Sequence, residues 1–189
     1  GENHPSTARS LNNLAILYRN MGRYSEAEPI YKQALELRKQ LLGENHPSTA
    51  NSLNNLALLY ENQGRYDEAE PLFIRALELK KQLLGENHPD TAISLNNLAL
   101  LKYYQGYYAE AEKFALQSVK LDKLLLGEEH PDFATDIHNL ALIYRAQSRY
   151  KEAEQLFLKS LEIKKLKLSE VHPLTVDTIY ALGFMYRLQ

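Results

Sequence analysis

The sequence predicts an all-α fold in which helical hairpins stack side by side in an open array. The first supporting observation is a repeated segment, since residues 53–60 read Leu-Asn-Asn-Leu-Ala-Leu-Leu-Tyr and close copies begin at Leu11, Leu95 and Ile137. The second is the spacing of the His-Pro pairs, because each of their prolines lies 42 residues after the previous one. A fixed period of this length indicates stacked repeats rather than one closed globule. The prolines are Pro5, Pro47, Pro89, Pro131 and Pro173.

The composition limits the classes of partner. There are 22 Lys and Arg residues against 24 Asp and Glu, so the chain lacks the basic field that holds phosphate backbones, and we expect no nucleic-acid partner. The absence of cysteine excludes disulfides and thiolate metal sites and agrees with a cytoplasmic location. No apolar run approaches the ~20 residues of a membrane span, and no signal-peptide pattern opens the sequence. We therefore expect a soluble protein without a membrane partner.

The segment after each His-Pro pair predicts the first helix of a repeat, helix A. Proline suits the first helical position, where the missing N–H would have no intrahelical partner. Helix A of the first repeat is expected over about 5–21, with Gly22 ending it in a left-handed conformation. Ser148 replaces this glycine in the fourth repeat, where we expect a strained turn. The apolar residues that recur at three- and four-residue steps are Ala8, Leu11, Leu14, Ala15 and Tyr18.

A second apolar pattern predicts helix B, which packs against helix A to form a hairpin. In the first repeat it runs from about Tyr24 to Leu42 and is closed by Gly43. Ala15 and Ala27 are small enough to let the two helices approach closely. The sequence thus predicts one array over 1–189, with a terminal half repeat that caps the last hairpin. The repeats are 5–42, 47–84, 89–126 and 131–168, and the half repeat is 173–188. Since the chain starts within a repeat loop and stops within a helix, we expect it to be a piece of a longer array.

Polar residues follow the opposite face of helix A and predict a binding groove. They recur at steps that form a second stripe along the helix. An asparagine amide both donates and accepts, so several in register can bond a peptide backbone without reading its side chains. Arginines on the same stripe could hold acidic groups. The candidate groove residues are Arg9, Asn12, Asn13, Arg19, Asn54, Asn55, Asn96, Asn97, Tyr103, His138, Asn139 and Arg145.

The asparagines also have a structural interpretation. Their side chains could bond each other or the neighbouring A helices and so fix the stacking, because buried polar groups need partners in either role. The two roles are compatible.

The third repeat departs from the pattern of the others. Lys102 stands where the other repeats have tyrosine, and Ala115 stands where they have an aromatic residue. Tyr103 and Phe114 lie close by in the sequence. Clustered aromatic residues could form a binding anchor in the groove, which we expect for Tyr103. Phe114 could instead refill the volume that Ala115 vacates, which we favour for that residue.

The polar residues do not predict an active site or a metal site. Each loop carries one histidine, and equivalent atoms of stacked hairpins lie roughly 10 Å apart, too far for two imidazoles to share a zinc ion. We expect these histidines at helix N-termini and in turns. Asp136 and His138 are two residues apart on helix A and point in different directions, so they form a poor acid–base pair. No nucleophile elbow, phosphate-binding loop or zinc-protease pattern occurs. We therefore predict no enzyme activity, no cofactor and no metal.

The repeated motifs resemble those of a known family. Leu-x-x-Leu-Ala-x-x-Tyr, Gly-x-Tyr-x-x-Ala and Tyr/Phe-x-x-Ala look like the tetratricopeptide repeat. The 42-residue period with Gly-Glu-Asn-His-Pro loops resembles the kinesin light chain subtype. The resemblance covers essentially the whole chain. It implies an αα-superhelix of four hairpins plus a terminal capping helix, whose A helices line a concave groove for extended or short helical peptides.

Two functions follow as hypotheses. The first is a non-catalytic scaffold that binds a protein or peptide partner in the groove. Short acidic segments are favoured by Arg9, Arg19 and Arg145 and by the kinesin light chain resemblance. The alternative is a structural or regulatory array that stacks end to end, or that holds a neighbouring effector domain inactive in a larger signalling protein.

Overall fold

A computed structural model describes residues 4–187, and these residues form nine α-helices and no strand. Odd-numbered helices are the A helices and even-numbered helices are the B helices, which confirms the predicted all-α class and its hairpins. The chain divides into two compact units between Glu86 and Asn87, with α1 to α4 in the first and α5 to α9 in the second. The helices are α1 (Pro5–Asn20), α2 (Tyr24–Leu42), α3 (Pro47–Asn62), α4 (Tyr66–Leu84), α5 (Pro89–Tyr104), α6 (Tyr108–Leu126), α7 (Pro131–Ala146), α8 (Tyr150–Lys167) and α9 (Pro173–Tyr186).

Each A helix begins at a proline and is capped by the histidine before it. In α3, Nδ1 of His46 accepts the backbone N–H of Ser48 at 3.1 Å. The same cap occurs at the start of every A helix. It satisfies one of the N–H groups that a helix N-terminus leaves without a partner. The loop histidines therefore have the predicted role at helix N-termini.

The turns between helix A and helix B need a left-handed residue. Gly22 has φ +73° at the end of α1, and Gly106 has φ +82° at the end of α5. Ser148 occupies the same position after α7 with φ 62°. A residue with a Cβ atom is disfavoured in this conformation. The predicted strain at Ser148 is therefore present.

The first unit packs its hairpins through small residues on the facing helices. Ala15 and Ala27 are fully buried, as predicted. Leu14 was also expected in the core but is 39% exposed, whereas the equivalent Leu56 is only 4% exposed. Helix α2 packs against α3 and covers that face, while no described helix precedes α1. The difference therefore reflects the missing neighbour rather than the helix itself.

The second unit ends on α9, which caps the fourth hairpin. Leu182 and Met185 pack in one buried cluster with Ala141 and Phe157. This contact confirms the predicted capping helix. The predicted end of the half repeat, at residue 188, lies outside the described residues.

Candidate binding surface

The accessible part of the predicted groove is smaller than the sequence suggests. Each unit exposes or half-exposes some of the predicted side chains on its A helices. In the first unit these are Arg9, Asn13, Arg19 and Asn55, and in the second they are Asn96, Asn97, Tyr103 and Arg145.

Four predicted groove residues lie inside the helix packing instead. Buried side chains leave almost no polar surface for a peptide, and this corrects the accessibility that we expected for them. A period that places residues on one helix face does not show which part of that face a neighbouring helix covers. The buried residues are Asn12, Asn54, His138 and Asn139.

Asparagine pairs join consecutive A helices within each unit. In the first unit, Nδ2 of Asn55 donates to Oδ1 of Asn12 at 3.0 Å. In the second unit, Nδ2 of Asn139 donates to Oδ1 of Asn96 at 3.0 Å. The second asparagine of one repeat thus bonds the first asparagine of the repeat before it. These bonds set the register between A helices, as the structural interpretation predicts.

His138 belongs to the core of the second unit. Its Nδ1 lies 3.1 Å from Oγ1 of Thr178, and its ring contacts that of Phe157 edge to face at 5.3 Å. Burial, reinforced by the charges of Lys164 and Arg145, lowers the pKa of His138 to about 3. The imidazole is therefore neutral and structural at physiological pH.

The A helices of the first unit hold Arg19 close to Glu61. Burial raises the pKa of Glu61 to about 7, and the charge of Arg19 partly offsets that effect. Within the described residues, Nη1 of Arg19 and Oη of Tyr31 are buried and have no hydrogen-bond partner. Both atoms can donate, but both are enclosed by the helix packing, so they are unused donors of the interior rather than contacts at the surface.

The A helices of the second unit carry a cation set between aromatic groups. Nη2 of Arg145 on α7 donates to Oη of Tyr103 on α5 at 3.4 Å. On its other side, the guanidinium lies 5.1 Å from the ring centroid of Phe184 on α9. No carboxylate of residues 4–187 pairs with Arg145, and Phe184 is 52% exposed. We call Tyr103, Arg145 and Phe184 the Tyr–Arg–Phe surface.

The aromatic residues of the third repeat have two roles. Tyr103 contacts the rings of Tyr104 and Tyr108 at centroid distances of 5.5 Å and 5.8 Å. Phe114 packs against the buried cluster that contains Ala115, as expected for a side chain that refills lost volume. Tyr103 packs there as well but stays half-buried. Tyr103 therefore lies at the boundary between the core and the surface.

Sequence reasoning missed Phe184 as a surface residue. The signal was available, because Phe184 follows Tyr180 by four residues and precedes Arg187 by three on α9, and such spacings share a helix face. Tyr180 is also exposed. Phe184 is exposed because no helix B follows α9 in the described chain to cover it.

Within residues 4–187, no three His, Cys, Asp or Glu side chains lie close enough together to hold a metal ion. No helix in that range combines the length and apolar character needed to cross a membrane.

Comparisons with known proteins agree with the fold. A model of the tetratricopeptide repeat matches residues 6–71, 48–124, 97–166 and 132–189. No curated protein matches the chain. Many solved structures do, among them crystal structures of nearly identical TPR-like repeats from Podosopora anserina, assigned to a kinesin light chain.

The similarity to those structures extends over almost the whole chain. The Podosopora anserina repeats are 29% identical with a TM-score of 0.79, and a point variant of them gives 0.80; each match covers 97% of this chain and 87% of the other. BtubC (BKLC) from P. vanneervenii is 25% identical with a TM-score of 0.82, covering 97% of this chain and 73% of the other. The chain therefore belongs to the tetratricopeptide repeat family, with repeats like those of kinesin light chains, a non-catalytic fold that generally serves as a scaffold for protein–protein interaction.

Proposed function

We propose that the chain binds a short acidic peptide segment of a protein partner through the exposed faces of its A helices. The observation that carries this proposal is Arg145, which is held between Tyr103 and Phe184 without a carboxylate partner in the described residues. A guanidinium can bond a carboxylate with two parallel N–H donors. The half-buried ring of Tyr103 and the exposed ring of Phe184 supply the aromatic contact area that dominates many interfaces.

The first unit supports the same proposal with a second cation. Arg19 is half-buried on α1, and Arg9 and Asn13 are exposed on the same helix. We propose these residues, together with Asn55 in this unit and Asn96 and Asn97 in the other, as contacts for peptide backbone and acidic groups. Four buried residues would support these contacts by holding the A helices in register, namely Asn12, Asn54, His138 and Asn139.

We also propose a wider setting for this activity. The 42-residue period continues through the sequence from one unit into the next, which supports a single binding array over 1–189. The near-neutral charge supports a protein partner rather than a nucleic acid, and the absence of cysteine supports a cytoplasmic location. No enzymatic step or cofactor is part of the proposal.

A pair of synthetic peptides tests the proposed specificity. Both carry the same central aromatic residue, flanked by Asp and Glu in one peptide and by Asn and Gln in the other. Fluorescence anisotropy should give tighter binding of the acidic peptide by about tenfold, the effect of one charge-assisted contact. Arg145→Ala should remove this preference and leave the helical circular dichroism unchanged. Lys151→Ala, at an exposed position on α8, is the matched control and should retain it.

Equal affinity for the two peptides would contradict the acidic specificity. Retention of the preference in Arg145→Ala would show that another surface binds the peptide.

End-to-end association of copies is the second candidate function. Exposed apolar side chains lie on α9, at Ile179 and Tyr186, and on α1 and its C-cap residue, at Leu17 and Met21. Apolar end faces of repeat arrays can stack on one another. Sedimentation velocity over a concentration series tests this, and Ile179→Glu should reduce any association. A monomer at every concentration would exclude it.

A further inference from the structure

Consecutive hairpins are joined by a polar contact at one fixed position of the repeat. Between α2 and α3, Nη1 of Arg38 donates to Oγ of Ser52 at 2.8 Å. Between α8 and α9, Nζ of Lys164 donates to Oγ1 of Thr178 at 3.0 Å. Each of these two contacts, which we call joints, thus pairs a cation on helix B with a hydroxyl on the next helix A. The cation does not require a carboxylate partner at this position, because the hydroxyl oxygen accepts its hydrogen bond.

The joint between α6 and α7 reverses this chemistry. At the position of Arg38 and Lys164 the chain has Asp122, and at the position of the hydroxyl it has Asp136. Both aspartates are buried. Two carboxyl groups therefore stand in this joint, where the α2–α3 and α8–α9 joints have a cation and a hydroxyl. A buried carboxylate pair without a cation is unfavourable unless one group is protonated.

The two acceptors around Ser118 indicate that this joint holds an additional proton. Oγ of Ser118 on α6 lies 2.9 Å from the carbonyl oxygen of Ala92 on α5 and also contacts Oδ2 of Asp136. The serine has one hydrogen, and a carbonyl oxygen can only accept. At the equivalent position of the next repeat, Ser160 donates to the carbonyl of Ala134 at 2.6 Å. When the hydrogen of Ser118 goes to Ala92 in the same way, the Asp136 carboxyl must donate to Ser118.

The surrounding charges favour the same protonation state. The charged groups that act on Asp136 in the described residues are Asp122 on α6 and Asp132 on its own helix, and α5 contributes the carbonyl of Ala92. Burial, with repulsion from these carboxylates, raises the pKa of Asp136 to about 8 although its bond to Ser118 opposes the rise. Burial and Asp132 also raise the pKa of Asp122 to about 6, with His130 in opposition.

We propose that the joint between α6 and α7 is closed by a proton, which Asp136 holds and donates to Ser118 in the folded chain at neutral pH. Loss of this proton to solvent leaves a carboxylate that Asp122 repels, with one hydrogen of Ser118 to share between two acceptors. The packing of α7 against α6 then weakens, so the second unit carries a joint that responds to mildly alkaline pH. This inference does not depend on the proposed peptide binding.

The pH dependence of unfolding tests the proposal. Because the folded state holds a proton that the unfolded state has lost, the stability contributed by Asp136 falls as pH rises towards about 8. Asp136→Asn keeps an N–H donor for Ser118 and cannot ionise. Relative to this variant, the unfolding constant of the native chain should increase by up to about tenfold per pH unit between pH 3.8 and about 8. Asp67→Asn, at an exposed position on α4 and outside the groups that act on Asp136, is the control and should show a much smaller difference.

Two further measurements keep the proposal falsifiable if Asp136→Asn does not fold. Carbon-13 NMR of the Asp136 carboxyl should give a midpoint well above the ordinary value of 3.8 for aspartate, close to about 8. Asp122→Lys restores the cation of the other joints and should bring the midpoint of Asp136 down. A midpoint near the ordinary value in the native chain would overturn the proposal. So would an unfolding difference between the native chain and Asp136→Asn that does not change with pH.

Discussion

The ammonium of Lys102 lies 5.2 Å from the ring centroid of Tyr107, and this pair reverses the order found in the other hairpins. There the aromatic residue is on helix A and the cation follows the turn. The Lys102 ammonium also lies 3.4 Å from Glu110, as the arginines of the other repeats contact a glutamate in the first turn of helix B. The pairs in the usual order are Arg23 over Tyr18 at 4.4 Å, Arg65 over Tyr60 at 4.1 Å and Arg149 over Tyr144 at 3.8 Å.

The reversed pair should behave as one energetic unit. Tyr107→Arg alone places two cations together and should reduce the free energy of unfolding by about 1 kcal/mol. Adding Lys102→Tyr restores the usual order and should recover most of that loss. Urea unfolding of the two single variants and the double variant gives the coupling energy directly. Strictly additive effects would show that the two side chains do not interact.

The asparagine bond between α1 and α3 should contribute to stability. Asn55→Ala removes the donor to Oδ1 of the buried Asn12 and should lower the free energy of unfolding by about 1–3 kcal/mol, the cost of an unsatisfied buried polar group. Asn13→Ala is the matched control, since that side chain is exposed and should change stability by less than about 0.5 kcal/mol. Chemical denaturation measures both, and equal losses would refute a special role for the pair.

The turn after α7 should be improved by glycine. Ser148→Gly removes a Cβ atom from a residue with φ 62° and should stabilise the chain by about 1 kcal/mol. The reverse change, Gly106→Ser, places a side chain at φ +82° and should cost a similar amount. Thermal unfolding compares the two variants with the native chain. A shift of the same sign in both would contradict the assignment of strain.

His138 should make the second unit sensitive to acid. Burial, followed by the charges of Lys164 and Arg145, holds the pKa of His138 near 3, below its ordinary value of 6.5. Between these values the unfolded chain binds a proton that the folded chain does not, so the stability contributed by His138 is lost as pH falls. His138→Asn, which restores the residue of the other repeats, should unfold at lower pH. The same acid midpoint for both proteins would contradict a buried neutral imidazole.

The asparagines illustrate how far the candidate site could be predicted. Their types and spacing were sufficient to predict either a peptide-binding ladder or bonds between helices. The choice required coordinates, because Asn55 reaches Asn12 only when α1 and α3 pack at a particular register. Asn13 differs from Asn12 by one position on the helix yet is exposed. A period alone does not resolve that difference, since a neighbouring helix covers only part of each face.

Residue types and their spacing were sufficient to predict the repeat length, the order of A and B helices, the histidines at helix N-termini and the strained turn at Ser148. All of these follow from local backbone preferences, and the residues that carry those preferences recur every 42 residues. Helix packing, in contrast, determines which side chains stay accessible, places Arg145 against Tyr103 and Phe184, and brings Asp136 to Ser118. These contacts join helices distant in the chain, and their chemistry depends on burial, which a single helix cannot specify.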